Sequence, residues 1–370
     1  MQFAIHKHIA ETKLNSNEYS PVFYRLTNST DEAAFLNLLN TNRQLQVYDE
    51  IHGQLEELVK ALNPQTVFTS ENLSKKAVEH LGNTPKEKYG VWVYYKWSNK
   101  LVHILDEKEF VTVRTNRNQN KITEKEKQLL SKKKIGVIGL SVGQSVALTM
   151  AMERICGELR IADFDILELS NLNRIRSGVQ NLGIRKAVAV AREIAEIDPF
   201  LKVTCFPEGI SEENINDFIH ANGKLDVLVD ECDGLYIKIL CRQKAKEYKI
   251  PVIMDTSDRG MIDIERFDLE PNRPILHGLI DHLDIEKIKE AKTNQEKLPF
   301  VAAIIGLDTI SQRLKDSLAE VGKSIVTWPQ LASSVTLGGA VICDISRKIL
   351  LDQLSVSGRF FVNVDEIIKE

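Results

Sequence analysis

The sequence is poor in cysteine, and none of its cysteines is placed for a cysteine-based site. The five cysteines, Cys156, Cys205, Cys232, Cys241 and Cys343, are scattered over 370 residues and form no C-x-x-C pair. This spacing argues against a zinc ribbon and gives no disulfide framework. We therefore expect free thiols that pack as small apolar residues, and no zinc.

Other absences disfavour a membrane protein and a nucleic-acid-binding protein. No stretch is long and apolar enough to cross a bilayer, and residues 1–13 contain no apolar core of signal-peptide length. The net charge is only −4 and the longest basic run is Lys132–Lys134, whereas phosphate backbones require clustered lysine and arginine. We expect a cytoplasmic protein whose partners are neither membranes nor nucleic acids.

The chain divides into three predicted regions. Residues 1–121 form an α+β region with no recognisable chemistry, residues 122–277 alternate strands and helices, and residues 278–370 form an α/β extension that completes the sheet or makes a dimer contact. The outer regions contain predicted helices at Asp31–Asn40, Gln44–Leu62 and Thr309–Val321, and a hairpin of Val91–Tyr95 with Leu101–Leu105.

The middle region predicts a Rossmann-like, doubly wound, mostly parallel sheet. Alternating strands and helices imply right-handed parallel units, and such sheets bind ligands at the carboxyl ends of their strands. The predicted strands are Ile135–Ile138, Leu159–Ala162, Leu225–Val229 and Pro251–Met254, and the predicted helices are Gln144–Cys156, Val188–Ile197 and Ile237–Tyr248.

A glycine-containing turn follows the first of these strands and reads Gly139-Leu-Ser141-Val-Gly143-Gln-Ser145. Glycine permits a tight turn, and the next helix directs free N–H groups and its positive dipole end at an anion. Asp163 ends the next strand, where an acid suits the hydroxyls of a ribose. These features alone are equally compatible with an NAD-binding dehydrogenase, or with a turn that serves only helix packing.

The residues that follow carry a family resemblance. Asp163-Phe-Asp165-Ile-Leu-Glu-Leu-Ser-Asn171-Leu-Asn-Arg174 resembles the D-x-D-x-V-x-x-S-N-L-x-R signature of the ThiF/MoeB and ubiquitin-activating-enzyme superfamily. Gly183-Ile-Arg-Lys186-Ala resembles its G-x-x-K-A motif, and the segment ending at Asp233 resembles its strand followed by D-x-x-D. The resemblance implies ATP-dependent adenylation of a carboxylate, which forms an acyl-adenylate and pyrophosphate.

The resemblance also implies roles for individual residues. Arg174 and Lys186 match the family's phosphate-contacting cations, and Asp233 matches the aspartate that holds Mg²⁺ on the β- and γ-phosphates. The implied nucleotide contacts comprise Gly139, Ser141, Gly143, Asp163, Asp165, Asn171 and Arg117. Arg117, with Arg114 as second candidate, matches an arginine that reaches into the partner subunit's site, which implies a homodimer.

The turn departs from the family's usual G-x-G-G-x-G-S pattern. Ser141 and Val142 stand where the second and third glycines would be, and Gln144 replaces the last one. Because Val142 is β-branched, a positive φ there would be costly. This departure supports a second alternative, a non-catalytic ThiF-like protein that binds a partner, beside the NAD-binding oxidoreductase.

The acceptor carboxylate is left open by the sequence. It belongs to the C-terminal tail of a small ubiquitin-like sulfur carrier, to a peptide or to a small acid. Asp258 and Arg259 follow the last strand and are candidates for contacting it, or members of a turn with satisfied polar groups. No cysteine lies between Met254 and Ile342, so we expect adenylation without a covalent thioester on this chain.

Overall fold

The computed structural model describes residues 17–291 and 294–368, and these residues fall into two compact units. The first unit comprises the described residues up to Glu124 together with Asp198–Phe200, and the second comprises the rest. The three-region division drawn from the sequence stays a prediction. Among the described residues, no helix combines the length and the apolar character needed to cross a bilayer.

The first unit is built on a four-stranded sheet in the order β1–β3–β4–β2. The hairpin of β3 and β4 confirms the prediction, and Asn99 takes a positive φ in its turn. In chain order the elements are β1 Val22–Tyr24, α1 Ser29–Thr41, β2 Gln46–Asp49, α2 Ile51–Leu62, α3 Ser70–Leu81, β3 Val91–Tyr95, β4 Lys100–Ile104 and α4 Glu107–Arg114.

One predicted helix of the first unit is wrong over its first half. The segment expected as a single helix, Gln44–Leu62, begins as strand β2 and becomes helical only at Ile51. Strand β2 pairs in parallel with β4, which lies far along the chain, and the Asp49 carboxylate accepts the N–H of Ile51 where the helix begins. A non-local backbone pairing therefore overrides the local helical pattern.

The second unit contains a seven-stranded sheet in the order β11–β10–β9–β8–β5–β6–β7. Strands β5 to β9 are parallel, and β10 and β11 are antiparallel to their neighbours. Its strands are β5 Lys134–Ile138, β6 Glu158–Ala162, β7 Lys202–Phe206, β8 Val227–Asp230, β9 Val252–Thr256, β10 Met261–Glu265 and β11 Gly358–Phe361.

The predicted doubly wound, mostly parallel α/β sheet is confirmed. The helices are α5 Glu124–Leu130, α6 Gly143–Glu153, α7 Lys186–Ile197, α8 Ile215–His220, α9 Leu235–Glu247, α10 Glu286–Glu290, α11 Asn294–Ile305, α12 Gln312–Leu318, α13 Ala332–Leu350 and α14 Val364–Ile367. The chain runs outward from β5 to β6 and β7, then returns to β8 on the other side of β5 and proceeds to β9. The adjacent carboxyl ends of β5 and β8 therefore form the switch point at which such sheets bind ligands.

A buried ion network fixes helix α9 beneath this switch point. Asp230, at the end of β8, accepts hydrogen bonds from Lys238 at 2.9 Å and from Arg242, which lies one turn further along α9. Arg242 also donates to Glu265 of β10 at 2.6 Å. Although burial raises the pKa of Asp230, the charges of Lys238 and Arg242 hold it at about 2.

The turn after β5 requires glycine, and this predicts a large cost for substitution. Gly139 has φ +84°, and a Cβ there would lie 2.5 Å from the carbonyl oxygen of Glu231. We expect Gly139→Ala to lose about 1–2 kcal/mol of unfolding free energy from the left-handed backbone and about 1–3 kcal/mol more from overlap. Equilibrium urea unfolding measures the loss.

Gly183→Ala is the matched control for this measurement. Gly183 has the same φ of +84°, but nothing lies within 4 Å of an added Cβ. It should lose only the backbone contribution, about 1–2 kcal/mol. Equal losses in the two variants would show that the close approach of the turn to Glu231 is not what selects glycine at 139.

Candidate active site

The turn after β5 is tied to the end of β6 by the Asp163 carboxylate. Asp163 is buried and accepts the N–H of Leu140 at 2.7 Å and the N–H of Asp165 at 2.8 Å. The N–H of Gly139 donates to the carbonyl of Ala162 at 2.9 Å. Burial raises the pKa of Asp163, against the charge of Lys186. Asp163 thus fixes the shape of the turn, and its contact with a ribose stays a prediction.

The replaced glycines do not strain the turn. Val142 has φ −99° and ψ −45°, which is right-handed helical, so this valine avoids the costly positive φ. Gly143 opens helix α6, and a Cβ there would lie 2.8 Å from a methyl carbon of Val137 on β5. Glycine at 143 lets the helix pack closely on the strand and brings the first N–H groups of α6 to the switch point.

Lys186 is the first residue of helix α7, and its side chain is buried. Its ammonium donates to the Asp165 carboxylate at 2.9 Å and to the Ser141 hydroxyl at 3.1 Å. These two partners come from the loops that follow β6 and β5. The predicted residues Ser141, Asp165 and Lys186 are therefore brought together, and the ammonium is held in one place before any ligand binds.

Arg174 follows a short 3₁₀ helix, Leu169–Asn173, whose shape depends on Asn171. The side-chain oxygen of Asn171 accepts the N–H of Glu168 at 3.1 Å, and its carbonyl accepts the N–H of Arg174 at 3.1 Å. Asn171 thus holds the backbone of Arg174 in place.

The Arg174 guanidinium keeps donors that no described residue uses. One terminal nitrogen donates to Asn173 at 2.9 Å, while the buried Nε has no partner among the described residues. Burial lowers the pKa of Arg174, and the charge of Asp233 raises it. A buried donor without an acceptor is costly, so the arrangement suits a ligand oxygen.

Asp233 lies in the loop after β8 and is open to solvent at the surface. The surrounding protein atoms nevertheless crowd its carboxyl and raise its pKa, while the charges of Lys238, Arg174 and Lys186 lower it. Both predicted cations, Arg174 and Lys186, are therefore close enough for their charges to act on the Asp233 carboxylate.

The Asp233 carboxylate is also the predicted ligand of Mg²⁺. Among the described residues, no cluster of three or more histidine, cysteine, aspartate or glutamate side chains could hold a metal ion by itself. Mg²⁺ is commonly held by one or two carboxylates together with substrate phosphates and water. The exposed Asp233 carboxylate, which has no hydrogen-bond partner in the described part of the chain, fits that mode of binding.

The two arginines expected to reach a partner subunit differ in their surroundings. Arg117 is exposed in a short 3₁₀ helix, Asn116–Asn118, of the first unit. Arg114 donates to the buried Asp198 at 2.7 Å, so it contributes to the structure of the first unit. The role of Arg117 in a homodimer stays a prediction.

Asp258 and Arg259 anchor the C-terminal part of the second unit. The Asp258 carboxylate accepts the N–H of Ser311 at 2.7 Å and its hydroxyl at 2.6 Å. Arg259 donates to the carbonyl of Thr309 at 2.6 Å and pairs with Glu366. These contacts favour the alternative of a turn with satisfied polar groups over direct contact with an acceptor.

Sequence reasoning missed a buried pair of carboxyl groups at the ends of β8 and β9. The N–H of Asp255 donates to the Glu231 carboxylate at 3.1 Å, and neither Asp255 side-chain oxygen has a partner among the described residues. Burial raises the pKa of Asp255 to about 7, and burial together with the charge of Asp255 raises the pKa of Glu231 well above its usual range. The only indication in the sequence is that both acids lie at the carboxyl ends of predicted strands.

Sequence reasoning also missed the contacts of Gln144. Its buried side-chain amide bonds to the backbone of Arg176, at 2.8 Å in each direction, and donates to Glu193 at 2.9 Å. The one indication in the sequence is that Gln144 stands where the family pattern has its last glycine.

Comparison with known proteins identifies relatives of this chain. The model of the ThiF family matches residues 114–319, more than half of the chain. The chain is 43% identical over 273 residues to an uncharacterized protein of Mycobacterium tuberculosis, covering 74% of this chain and 38% of that protein. It therefore spans well under half the length of this relative.

Two further relatives have named activities. A molybdopterin-synthase adenylyltransferase of Haemophilus influenzae is 25% identical over 194 residues, covering 52% of this chain and 75% of that protein. A tRNA threonylcarbamoyladenosine dehydratase of Escherichia coli is 28% identical over 142 residues, covering 38% of this chain and 52% of that protein.

Two solved structures match this chain at low identity and with TM-scores below 0.5. PaaA matches with a TM-score of 0.49 and 18% identity, covering 90% of this chain and 87% of that chain. The Escherichia coli dehydratase in complex with ATP matches with a TM-score of 0.47 and 20% identity, covering 65% and 94%.

The buried pair predicts that stability falls as the pH rises. Because the pKa of Asp255 is about 7 in the folded protein and about 4 in an unfolded chain, the folded state binds more protons between these values. The stability contributed by protonated Asp255 is complete below pH 4 and is lost as the pH rises to about 7. Urea unfolding of the wild type and of Asp255→Asn from pH 4 to 8 measures this.

Asp255→Asn should flatten the decline, since an amide does not titrate. Asp217→Asn, which changes an exposed aspartate, is the control and should leave the slope as it is in the wild type. An unchanged slope in Asp255→Asn would contradict the assignment.

Proposed function

The chain belongs to the ThiF family, and from this we propose that it uses ATP to adenylate a carboxylate. The observation that carries the proposal is that the charges of Arg174 and Lys186 both act on the Asp233 carboxylate, which lies in the loop that leaves β8 at the switch point of the sheet. Two cations and a helix N-terminus suit a polyanion, and the accessible carboxylate suits its metal ion.

In the proposed reaction, an oxygen of the acceptor carboxylate attacks the α-phosphorus of ATP. A new oxygen–phosphorus bond forms, the bond to the bridging oxygen of pyrophosphate breaks, and the products are an acyl-adenylate and pyrophosphate. The acceptor is already ionised at neutral pH, so no side chain has to remove a proton. The protein has to overcome repulsion between anions and stabilise charge that develops on the phosphates.

Lys186 and Arg174 supply this stabilisation in different ways. Lys186 is a point charge that Ser141 and Asp165 hold in place. Arg174 has a planar guanidinium with an unused buried donor, which suits bonds to two oxygens of one phosphate. Because both groups are positioned by the folded chain, little reorganisation is required when the transition state forms.

Asp233 would hold Mg²⁺, together with phosphate oxygens and water. The bound ion would neutralise part of the negative charge on the β- and γ-phosphates. Asp230 is not available for this role, because Lys238 and Arg242 already neutralise it within the buried network.

The two alternatives from the sequence have less support. An NAD-binding oxidoreductase gives no reason for Arg174, Lys186 and Asp233 to meet. A non-catalytic protein was favoured by the replaced glycines, yet the turn needs a positive φ only at Gly139. The acceptor remains one of three classes, the tail of a ubiquitin-like carrier, a peptide or a small acid.

ATP–pyrophosphate exchange in the presence of candidate acceptors tests the proposed reaction. We expect Lys186→Ala to lower the exchange rate by about 10²–10³-fold, the usual effect of removing one donor to a developing oxyanion. Asp233→Ala should lower it through loss of the metal-binding carboxylate.

Lys133→Ala is the matched control for the exchange measurement. Lys133 also pairs with an aspartate, Asp226, at 3.2 Å, but it lies at the opposite edge of the sheet, just before β5. The ATP–pyrophosphate exchange rate of the Lys133→Ala variant should stay within about twofold of the wild-type rate. Undiminished exchange in both Lys186→Ala and Asp233→Ala would remove the site assignment.

Thermal unfolding with added nucleotides separates the ATP and NAD alternatives. A ligand that binds only the folded state raises the melting temperature. We expect ATP with Mg²⁺ to raise it and NAD⁺ or NADH to leave it unchanged, and we expect the rise to shrink in Lys186→Ala. A shift with NADH and none with ATP would support the oxidoreductase instead.

A further inference from the structure

Gln144 links three elements that surround the proposed phosphate site. It is the second residue of α6, and 97% of its surface is buried. Its side-chain oxygen accepts the N–H of Arg176, and its side-chain nitrogen donates to the carbonyl of the same residue, both at 2.8 Å. The nitrogen also donates to Glu193 of α7 at 2.9 Å.

These partners fix the orientation of the amide. The N–H of Arg176 requires an acceptor and its carbonyl requires a donor, so only one assignment of the side-chain oxygen and nitrogen satisfies both. The pairing of one amide with both backbone groups of a single residue holds that residue in distance and in angle. Glu193 adds to this by accepting from the Arg176 guanidinium at 3.1 Å.

Arg174 lies two residues before this fixed point. Its own N–H and that of Ile175 both bond to the carbonyl of Asn171, at 3.1 and 2.8 Å. Ile175 is buried, so the backbone between the 3₁₀ helix and Arg176 is anchored at both ends. Within residues 17–291 and 294–368, the Arg174 side chain has one hydrogen bond, to its neighbour Asn173, and we infer that it takes its position mainly from this backbone.

We propose that Gln144 is a positioning residue that holds Arg174 against the first turn of α6 and the start of α7. The proposal rests on the proposed adenylation. Lys186 opens α7, and Glu193 lies two turns further along the same helix, so one amide sets the spacing between the two cations. Gln144 itself does not touch the reacting groups.

Loss of the Gln144 amide should reduce turnover more than ATP binding. A displacement of about 1 Å in a catalytic group lowers turnover by on the order of 10²-fold. For Gln144→Met, which keeps the volume but cannot make the three hydrogen bonds, we expect kcat for ATP–pyrophosphate exchange to fall by about 10- to 100-fold. The KM for ATP should change by less than about threefold, since Lys186 and the helix N-terminus remain.

A double-mutant cycle with Arg174→Ala tests whether Gln144 acts through Arg174. If it does, Gln144→Met should have little further effect on kcat once Arg174 is alanine. A merely structural role predicts that the two losses multiply, and multiplication would overturn the proposal. An unchanged kcat in Gln144→Met alone would overturn it as well.

Asn214→Ala is the matched control. The Asn214 amide also makes two backbone hydrogen bonds, from the N–H of Ser211 and to the carbonyl of Gly209, both at 2.8 Å. It lies between β7 and α8, so its loss should affect stability without changing kcat. An equal fall in kcat for Asn214→Ala would assign the effect to general loosening of the fold.

A second variant covers the case in which Gln144→Met does not fold. Gln144→Glu keeps the shape and the acceptor for the Arg176 N–H, but it cannot donate to the carbonyl when ionised and it repels Glu193. We expect its kcat relative to the wild type to recover as the pH falls and the new carboxyl gains a donor proton. A pH-independent ratio would contradict the proposal, whereas absence of exchange in the wild type would contradict the proposed function itself.

Discussion

The ammonium of Lys186 is the fixed charge around which the rest of the site is arranged. It is buried at the start of α7 and bonded to Ser141 and Asp165, which belong to the loops after β5 and β6. Removing a lysine from water is unfavourable unless partners replace the lost hydration. The two loops therefore have to close on it, and this constraint shapes the turn, the acidic loop and the helix N-terminus together.

A second set of charges keeps the opposite side of the switch point rigid. Asp230, Lys238, Arg242 and Glu265 form a buried network between β8, α9 and β10. Such networks are poor sources of stability, yet removing one partner leaves an uncompensated charge. The loop that carries Asp233 leaves β8 immediately after Asp230, which the buried network holds in place. The exposed Asp233 carboxylate is therefore positioned by the fold and can still bind a ligand.

The sequence could predict those parts of the fold that depend on local pattern. Strand–helix alternation predicted the parallel sheet. Arg174, Lys186 and Asp233 came from the family resemblance, and in the structure the charges of Arg174 and Lys186 act on the Asp233 carboxylate. Strand β2 was harder to predict from the sequence, because it forms only by pairing with β4. The paired residues Asp49 and His103 are 54 positions apart in the sequence. Non-local pairing leaves a weak local signal.

The candidate site shows the same division. Val142 stands where the family pattern has glycine, and this suggested backbone strain in the turn. In the structure, the turn takes a left-handed backbone only at Gly139. Gln144 bonds to a residue 32 positions away, so its role depends on the packing of α6 on the segment after Arg174. The burial that raises the pKa of Asp255 likewise depends on helix α13, which comes from far along the chain.

The most direct test of the account is an experimental structure of the protein with a non-hydrolysable ATP analogue. We expect phosphate oxygens within about 3 Å of the Lys186 ammonium and of the Arg174 guanidinium, beside the first turn of α6. A nucleotide bound elsewhere, with the Lys186 ammonium still bonded only to Ser141 and Asp165, would contradict it.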